Sequence, residues 1–349
     1  MFYLGIDIQK KQSVYYLGDD EGHKVESGRV DTSPEAFALL AKRSARDEGV
    51  EACIESGNLS FLLARAMMRE HADVFVVHAH DNALIAQSTK KTDGLDARCL
   101  SEQRRLNMLP PYRVYVPSEQ AEWLRLLLSH RASLVKDQTR LSNRASRVAE
   151  RFGLYPSRSS YRNRPAWARL REATKGSPVA LLQACQLSDS AEVIRLALCD
   201  ARRQIELHVR THFSKEEQLL RTIPGVGLIT AAALISQVER IDRFRSARQL
   251  CRYLGLTPVV RESGKKSFGK GICKQGNRRL RGYFTQAALS FLKSAAQDDP
   301  VRLWYENLRK RKGWKKARVA LARKLVSVAF GVWKHQSAYD PSRTQGRRK

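Results

Sequence analysis

The sequence predicts an α/β domain with a mixed sheet at the front of the chain and a mostly helical, strongly basic back half. Three observations carry this. Residues 1–110 alternate strand-like and helix-like patterns, the apolar spacing turns helical beyond Pro110 and Pro111, and the charge changes sign near the same place. Residues 1–110 hold 14 Lys and Arg against 17 Asp and Glu, a net of −3; the other 239 residues hold 49 against 18, a net of +31.

Phe2–Ile8 reads as a strand with Asp7 near its end, Ser13–Leu17 as a second and Lys24–Val30 as a third, polar enough for a sheet edge. Asp19, Asp20 and Gly22 supply the turn chemistry between the second and third. Ser33 is placed to cap a helix with Pro34 at its first position, running to about Asp47. Val50–Glu55 is a short buried-type strand, Leu59–Glu70 a helix, Asp73–His78 a fifth strand and Thr92–Arg105 a helix. Three strands in a row followed by alternation give a mixed sheet.

Pro110, Pro111 and Pro117 mark a boundary. After it Leu127, Leu134, Leu141 and Val148 recur every seven residues, with Leu124, Arg131, Gln138, Ala145 and Phe152 at companion positions. That is the spacing of a coiled coil or a long helical hairpin, whose seam meets either a second copy of the chain or its own domain. Residues 153–180, rich in Arg, Ser and Pro, read as a loop that orders on a partner, and Ser190–Phe213 as an amphipathic helix with Ile194, Leu198, Ala201 and Ile205 on one face. The division expected is 1–110, a helical coiled-coil or linker region 111–220, a compact basic helical domain 221–335, and a polar, disordered tail 336–349.

Six scattered cysteines without a CxxC pair argue against a disulfide framework or zinc site and for a reducing cytosol. The first residues lack the basic-then-apolar order of an export signal, and no apolar run approaches membrane-spanning length. A net of +31 on the back 239 residues repels itself unless a polyanion neutralises it, and nucleic acid is the usual one.

Four carboxylates stand out at the front: Asp7 in Gly5-Ile6-Asp7, Glu55 in Cys53-Ile54-Glu55, and Asp93 and Asp96 three apart, on one face of a helix. Strand ends and an adjoining helix face can bring such side chains to one point, where Mg²⁺ fits an all-oxygen donor set. The plainer readings are a turn residue for Asp7, a surface residue for Glu55 and a favourable helix start for Asp93 and Asp96.

In the back half, Ile223-Pro224-Gly225-Val226-Gly227 opens a helix, and its glycines suit either phosphate approach, as in a helix-hairpin-helix element, or a tight turn. Further on, Gly255-Leu256-Thr257-Pro258 precedes Glu262-Ser263-Gly264 and Lys274-Gln275-Gly276-Asn277-Arg278-Arg279-Leu280-Arg281. Lys265, Lys266, Lys270 and Lys274 make this stretch cationic, and a serine on it can approach a phosphate. Spacing alone does not select which serine.

These motifs, in this order, resemble the DEDD-type insertion-sequence transposases of the IS110 and IS1111 groups, relatives of the Piv DNA invertases; the matching motifs lie in roughly residues 1–110 and 220–295. The resemblance implies a ribonuclease-H-like front domain of the Holliday-junction-resolvase type, whose acids Asp7, Glu55, Asp93 and Asp96 bind Mg²⁺. It implies a helical transposase domain whose Ser263 forms transient 5′-phosphoserine links, with Ser267 as a rival where the motif departs from paired serines. It further implies donor and target DNA, a structured guide RNA, a homodimer or homotetramer, and a cytoplasmic, DNA-associated setting. Gly225, Gly227, Lys265, Lys266, Lys270, Lys274, Asn277, Arg278, Arg279 and Arg281 are the expected nucleic-acid contacts. The rival expectations are a metal-dependent junction nuclease that uses water, and a non-catalytic binding protein.

Overall fold

The computed structural model describes residues 1–46, 48–78, 93–109, 113–157, 160–259, 262–263, 266–267 and 271–344. The chain divides into two compact units, Met1–Glu119 and Gln120–Lys349.

The first unit is built on a five-stranded sheet: β1 (Phe2–Asp7), β2 (Gln12–Gly18), β3 (Lys24–Asp31), β4 (Val50–Glu55) and β5 (Asp73–Val77), in the order β3-β2-β1-β4-β5. The first three strands pair antiparallel, and β1, β4 and β5 run parallel. The expected mixed sheet is therefore present, each strand within a residue or so of its expected ends. Side chains alternate across a strand, and the sequence uses both faces. On one face Leu4, Ile6, Leu17, Ala52, Ile54, Val74 and Val76 pack against helix α1 (Pro34–Ala45) and helix α2 (Ser60–Arg69) through Phe37, Leu40, Leu63 and Met67. Ser33 caps α1 by accepting from the Ala36 amide at 3.2 Å. The opposite face, holding Tyr3, Gly5 and Asp7 of β1 and Cys53 and Glu55 of β4, takes helix α3 (Asp93–Arg105). Leu100 of α3 is buried there with Cys53, Val77 and Leu109. Ser101 donates to the Tyr3 carbonyl at 2.8 Å, and Arg104 pairs with Glu51 at 2.8 Å.

Among the described residues, the second unit is mostly helical, with one short hairpin. Helices α4 (Glu119–Glu150) and α6 (Pro178–His212) are long, and the His208 ring bonds the Gln120 carbonyl at 2.8 Å, which ties the end of α6 to the start of α4. Residues 153–180 were expected to be a loop. Instead they contain helix α5 (Arg164–Ala173), and Pro178 already opens α6. Trp167 and Leu170 of α5, with Tyr161, Ala145, Ala149, Ala184 and Ala191, form a small core. That core is what orders an otherwise Arg-rich segment. Of the expected seam, Leu124 and Ala145 are fully buried, and the heptad column beside them only partly so. Leu127, Leu134, Leu141 and Val148 are half-buried, and the fully buried positions of α4 include Leu124, Leu128, Ser142, Ala145 and Ala149. Both ends of α4 pack inside their own unit, Leu124 and Leu128 against Ile205 and Val209 and the alanines against Trp167.

The larger core gathers around helix α8 (Leu228–Val238), which is apolar around most of its circumference and buried on most sides. Helices α7 (Ser214–Arg221), α9 (Ala247–Tyr253), α10 (Arg278–Ser294), α11 (Pro300–Lys312) and α12 (Trp314–Lys334) complete it, with Phe284, Phe291, Leu321 and Leu325 wholly buried. Burying side chains of this size contributes about 1.5–3 kcal/mol each. No helix among the described residues is long and apolar enough to cross a membrane.

Candidate active site

Asp7 and Glu55 close two neighbouring parallel strands. Ile6 is paired with Ile54, and the next residue along each strand is the acid. By alternation both belong to the face that α3 covers. Asp93 is the first residue of α3 and Asp96 the fourth, so the positive end of the helix carries both acids. Asp93 is exposed and Asp96 half-buried.

Two of the other acids, Asp93 and Asp96, act on Asp7. Burial raises the Asp7 carboxyl above its ordinary value; the Gln9 amide, 3.5 Å away, opposes this, and the charges of Asp93 and Asp96 add to it. The Cys99 thiol of α3 is raised by burial, lowered by its bond to Gln103, and raised again by the charges of Asp96 and Glu55. Beneath it, burial pushes the Cys53 thiol up to about 12, with Arg104 opposing and Glu55 contributing. Asp93 and Asp96 therefore lie within electrostatic reach of Asp7, and Asp96 and Glu55 within that of Cys99. Among the described residues, no three His, Cys, Asp or Glu side chains form a group that could by itself hold a metal ion. The donor chemistry nonetheless fits a hard divalent cation that keeps part of its water shell, because the rim offers carboxylate oxygens and like charges in need of neutralisation.

One residue that brings this rim together was not selected from the sequence. A β-carbon on Gly5 would lie 1.9 Å from the Ala97 carbonyl oxygen and 2.5 Å from the Ser101 nitrogen. Only glycine lets α3 approach β1 so closely. The signal was a glycine inside a strand, two residues before the acid, together with small residues four apart on the helix.

In the second unit, Glu262–Ser263 (β6) and Lys266–Ser267 (β7) form an antiparallel hairpin, with Ser263 opposite Lys266 and Glu262 opposite Ser267. Lys265 and Lys270 lie outside the described residues. The base of the hairpin is a backbone frame. Cys273 N donates to the Thr257 carbonyl at 2.8 Å, Val259 N to Gly271 at 3.2 Å, and Pro258 bridges Ile272. Gly255 faces the Gln275 carbonyl and Gly276 the Tyr253 carbonyl, and a β-carbon on either would fall 2.4 Å from that oxygen.

The expected contact residues divide into two kinds. Asn277 is a clasp: its side-chain oxygen caps α10 at Leu280 N, and its amide donates to Gln237, both at 3.0 Å. Arg281 likewise donates to the Leu254 carbonyl at 3.0 Å. Gly225, at φ 79°, lies against α10, where a β-carbon would be 2.4 Å from Phe291 N. Packing accounts for these three. By contrast Lys274, Arg278 and Arg279 are exposed, and Gly227, the N-cap of α8, faces open space.

Residues 4–152 match the DEDD_Tnp_IS110 family, described as "Transposase", and residues 217–301 match the "Transposase IS116/IS110/IS902 family", together well over half of the chain. The chain is 28% identical to a "Probable family 20 transposase" of Pseudomonas aeruginosa, covering 72% of this chain and 74% of that protein. It is 25% identical to an insertion element IS116 protein of Streptomyces clavuligerus over 97% of this chain and 96% of the relative. It is 33% identical to the IS1111A transposase of Coxiella burnetii over 38% of this chain and 37% of that one. Fold order, acidic rim and both matched segments agree: the chain belongs to the IS110/IS116/IS902 family of transposases, enzymes that cut and rejoin DNA, and carries a DEDD transposase domain at its front.

Proposed function

We propose that this transposase cuts DNA with Ser263 as nucleophile, assisted by Mg²⁺ held by Asp7, Glu55, Asp93 and Asp96. The observation that carries the reading is the acidic rim, in which Asp7 and Glu55 end neighbouring strands, the charges of Asp93 and Asp96 at a helix start reach Asp7, and those of Asp96 and Glu55 reach Cys99. The strand order β3-β2-β1-β4-β5 supports a ribonuclease-H-like front domain.

In this reading Ser263 Oγ forms a bond to the scissile phosphorus, and its proton passes to a basic group or to solvent. The phosphodiester bond breaks on the 3′ side, leaving a 5′-phosphoserine link and a free 3′-hydroxyl. Attack by a 3′-hydroxyl of a new partner strand reverses the step, so no external energy source is required. Bound Mg²⁺ would polarise a phosphoryl oxygen and stabilise charge on the leaving oxygen. Exposed Lys274, Arg278 and Arg279, with Lys265, Lys266 and Lys270, would hold the backbone. Residues 1–110 serve as the acidic catalytic domain, 111–220 as the helical connector, 221–335 as the serine-bearing domain and 336–349 as a basic tail. The net of +31 behind residue 110 suits donor and target DNA together with a structured guide RNA from the same element. A homodimer or homotetramer would let the acids of one copy serve the serine of another.

The test is a trapping experiment. The protein with its co-purifying RNA, Mg²⁺ and end-labelled DNA is denatured and resolved. A covalent adduct is expected that is absent for Ser263→Ala and for Asp7→Asn. An adduct that survives Ser263→Ala moves the nucleophile elsewhere; normal cleavage by that variant without an adduct indicates hydrolysis by water, the chemistry of a junction nuclease.

A further inference from the structure

Helices α11 and α12 meet at an elbow, Gly313, whose φ of 74° turns the chain. Seven of the ten residues Arg309–Arg318 are Lys or Arg, and residues 300–339 contain eleven cations and one acid, Glu306. Every residue from Arg309 to Lys316 is exposed. Arg309 pairs with Glu306 at 3.1 Å, whereas Lys310, Arg311, Lys312, Lys315 and Lys316 make no ion pair among the described residues.

Half of this charge has a reason within the fold. Arg309, Lys310, Arg311 and Lys312 occupy the last turn of α11, the negative end of its dipole, where cations are stabilising. The other half opposes the fold. Lys315, Lys316 and Arg318 sit at the start of α12, the positive end, and no acid accompanies them in the first turn. Between the two groups stands Trp314, 52% exposed, with the Arg318 guanidinium 4.9 Å from its ring centroid. An indole in water beside cations that the helix disfavours serves no packing purpose here.

We propose that this elbow binds an unpaired stretch of nucleic acid, with one base stacked on Trp314 and the adjoining phosphates on Lys312, Lys315 and Lys316. Stacking on an exposed indole needs a base whose face is free, so the ligand is a single strand and not a duplex. Unpaired DNA and unpaired RNA share this chemistry. The inference rests on the reading of the chain as a nucleic-acid enzyme, but it concerns residues outside the acidic rim and the Ser263 hairpin.

The experiment measures binding of the full chain to fluorescein-labelled single-stranded DNA, single-stranded RNA and duplex DNA of one sequence, about 20 nucleotides long. Trp314→Ala is expected to weaken binding of one or both single strands roughly tenfold, with duplex binding changed less than twofold; which strand responds identifies the source. Trp314→Phe should recover most of the loss. Lys315→Gln with Lys316→Gln should lower the salt slope on the responding strand by about 1.4. Equal loss on duplex and single strands, or no loss on either single strand, overturns the proposal. So does Trp314→Phe failing to rescue. Should Trp314→Ala fail to fold, Trp314→Phe and the lysine pair still decide it through the salt slope. A chain that binds strands through Trp314 yet forms no covalent adduct would lose the serine mechanism and keep this site; the converse result would do the opposite.

Discussion

The backbone of Gly5 in the central strand lies so close to the Ala97 carbonyl of α3 that a β-carbon there would be 1.9 Å from its oxygen. This contact sets how near the start of α3, with Asp93 and Asp96, comes to Asp7. Gly5→Ala should therefore lift α3 from the sheet. Overpacking of this kind costs about 1–3 kcal/mol, so a lower melting temperature is expected together with loss of DNA cleavage out of proportion to it. Gly5→Ala retaining full cleavage would show that the placement of α3 tolerates a shift.

Asp7 is part-buried and faces the like charges of Asp93 and Asp96. Removing its charge relieves repulsion, and it also removes an oxygen donor. Asp7→Asn should thus melt no lower than the parent in chelator, and higher by about 2 °C at most, while cleavage is abolished. Adding Mg²⁺ should raise the melting temperature of the parent by more than that of the variant, since ligand binding stabilises by mass action. Equal Mg²⁺ responses would take Asp7 out of the metal set.

The front sheet was legible because its strands alternate cleanly and its turns carry Asp, Gly and Pro. The acids could be named because each closes or opens an element. What the sequence hid was contact rather than type. Gly5 reads as a weak strand residue until α3 is laid upon it. In α4 the half-buried column Leu127, Leu134, Leu141 and Val148 is conspicuous and its companions Leu124 and Ala145 are fully buried, but so are Ser142 and Ala149, small residues that admit a neighbouring helix without announcing it. Helix α5 was taken for a loop because only Trp167 and Leu170 of its ten residues are buried, and its arginines outweigh them in composition. Asn277 and Arg281 looked like nucleic-acid contacts because polar residues at a helix start serve capping and binding equally well.

The start of α5 is held by a pH-sensitive clasp. Glu192 of α6 takes hydrogen bonds from Arg195 at 2.7 and 2.8 Å and from Arg164 of the α5 start at 2.6 Å. The Arg195 bonds, then the Arg164 bond, hold its carboxyl down at about 2, from an ordinary 4.5. A lowered carboxyl stabilises the fold above its unfolded value and loses that contribution as pH falls through its folded value. Melting temperature between pH 5 and pH 2 should therefore fall more steeply for the parent than for Glu192→Gln. Parallel curves would mean that the clasp, which is solvent-exposed, contributes nothing measurable.

At the start of α10 the clasp and the exposed cations separate by assay. Asn277→Ala removes a cap and the shorter of the two hydrogen bonds to the Gln237 side-chain oxygen, leaving that from Tyr253, a cost of about 1–2 kcal/mol, so melting temperature should drop. The side chains of Arg278 and Arg279 are exposed and make no hydrogen bond or ion pair among the described residues, so Arg278→Gln and Arg279→Gln should leave melting unchanged while each lowers the salt slope of DNA binding by about 0.9. The opposite pattern, with Asn277→Ala weakening DNA binding at unchanged stability, would return Asn277 to the nucleic-acid surface.

The two glycines of Ile223–Gly227 should part in the same way. Gly225 adopts φ 79°, and its missing side chain is the space into which Phe291 N and the Ala287 oxygen fit, at 2.4 and 2.6 Å from where a β-carbon would be. Gly225→Ala must both strain the backbone and push α10 outward, so a loss above about 2 kcal/mol is expected. Gly227 has φ −92°, open space beside it, and the free amides of α8 just beyond. There alanine fits sterically, and as a poorer cap than glycine it should cost less than about 1 kcal/mol. If a phosphate approaches this helix start, the added methyl group obstructs it, and Gly227→Ala should weaken duplex binding severalfold at nearly unchanged melting temperature. Unaltered affinity in Gly227→Ala, measured at low salt where backbone contacts are strongest, would reduce the Gly225–Gly227 turn to a packing element alone.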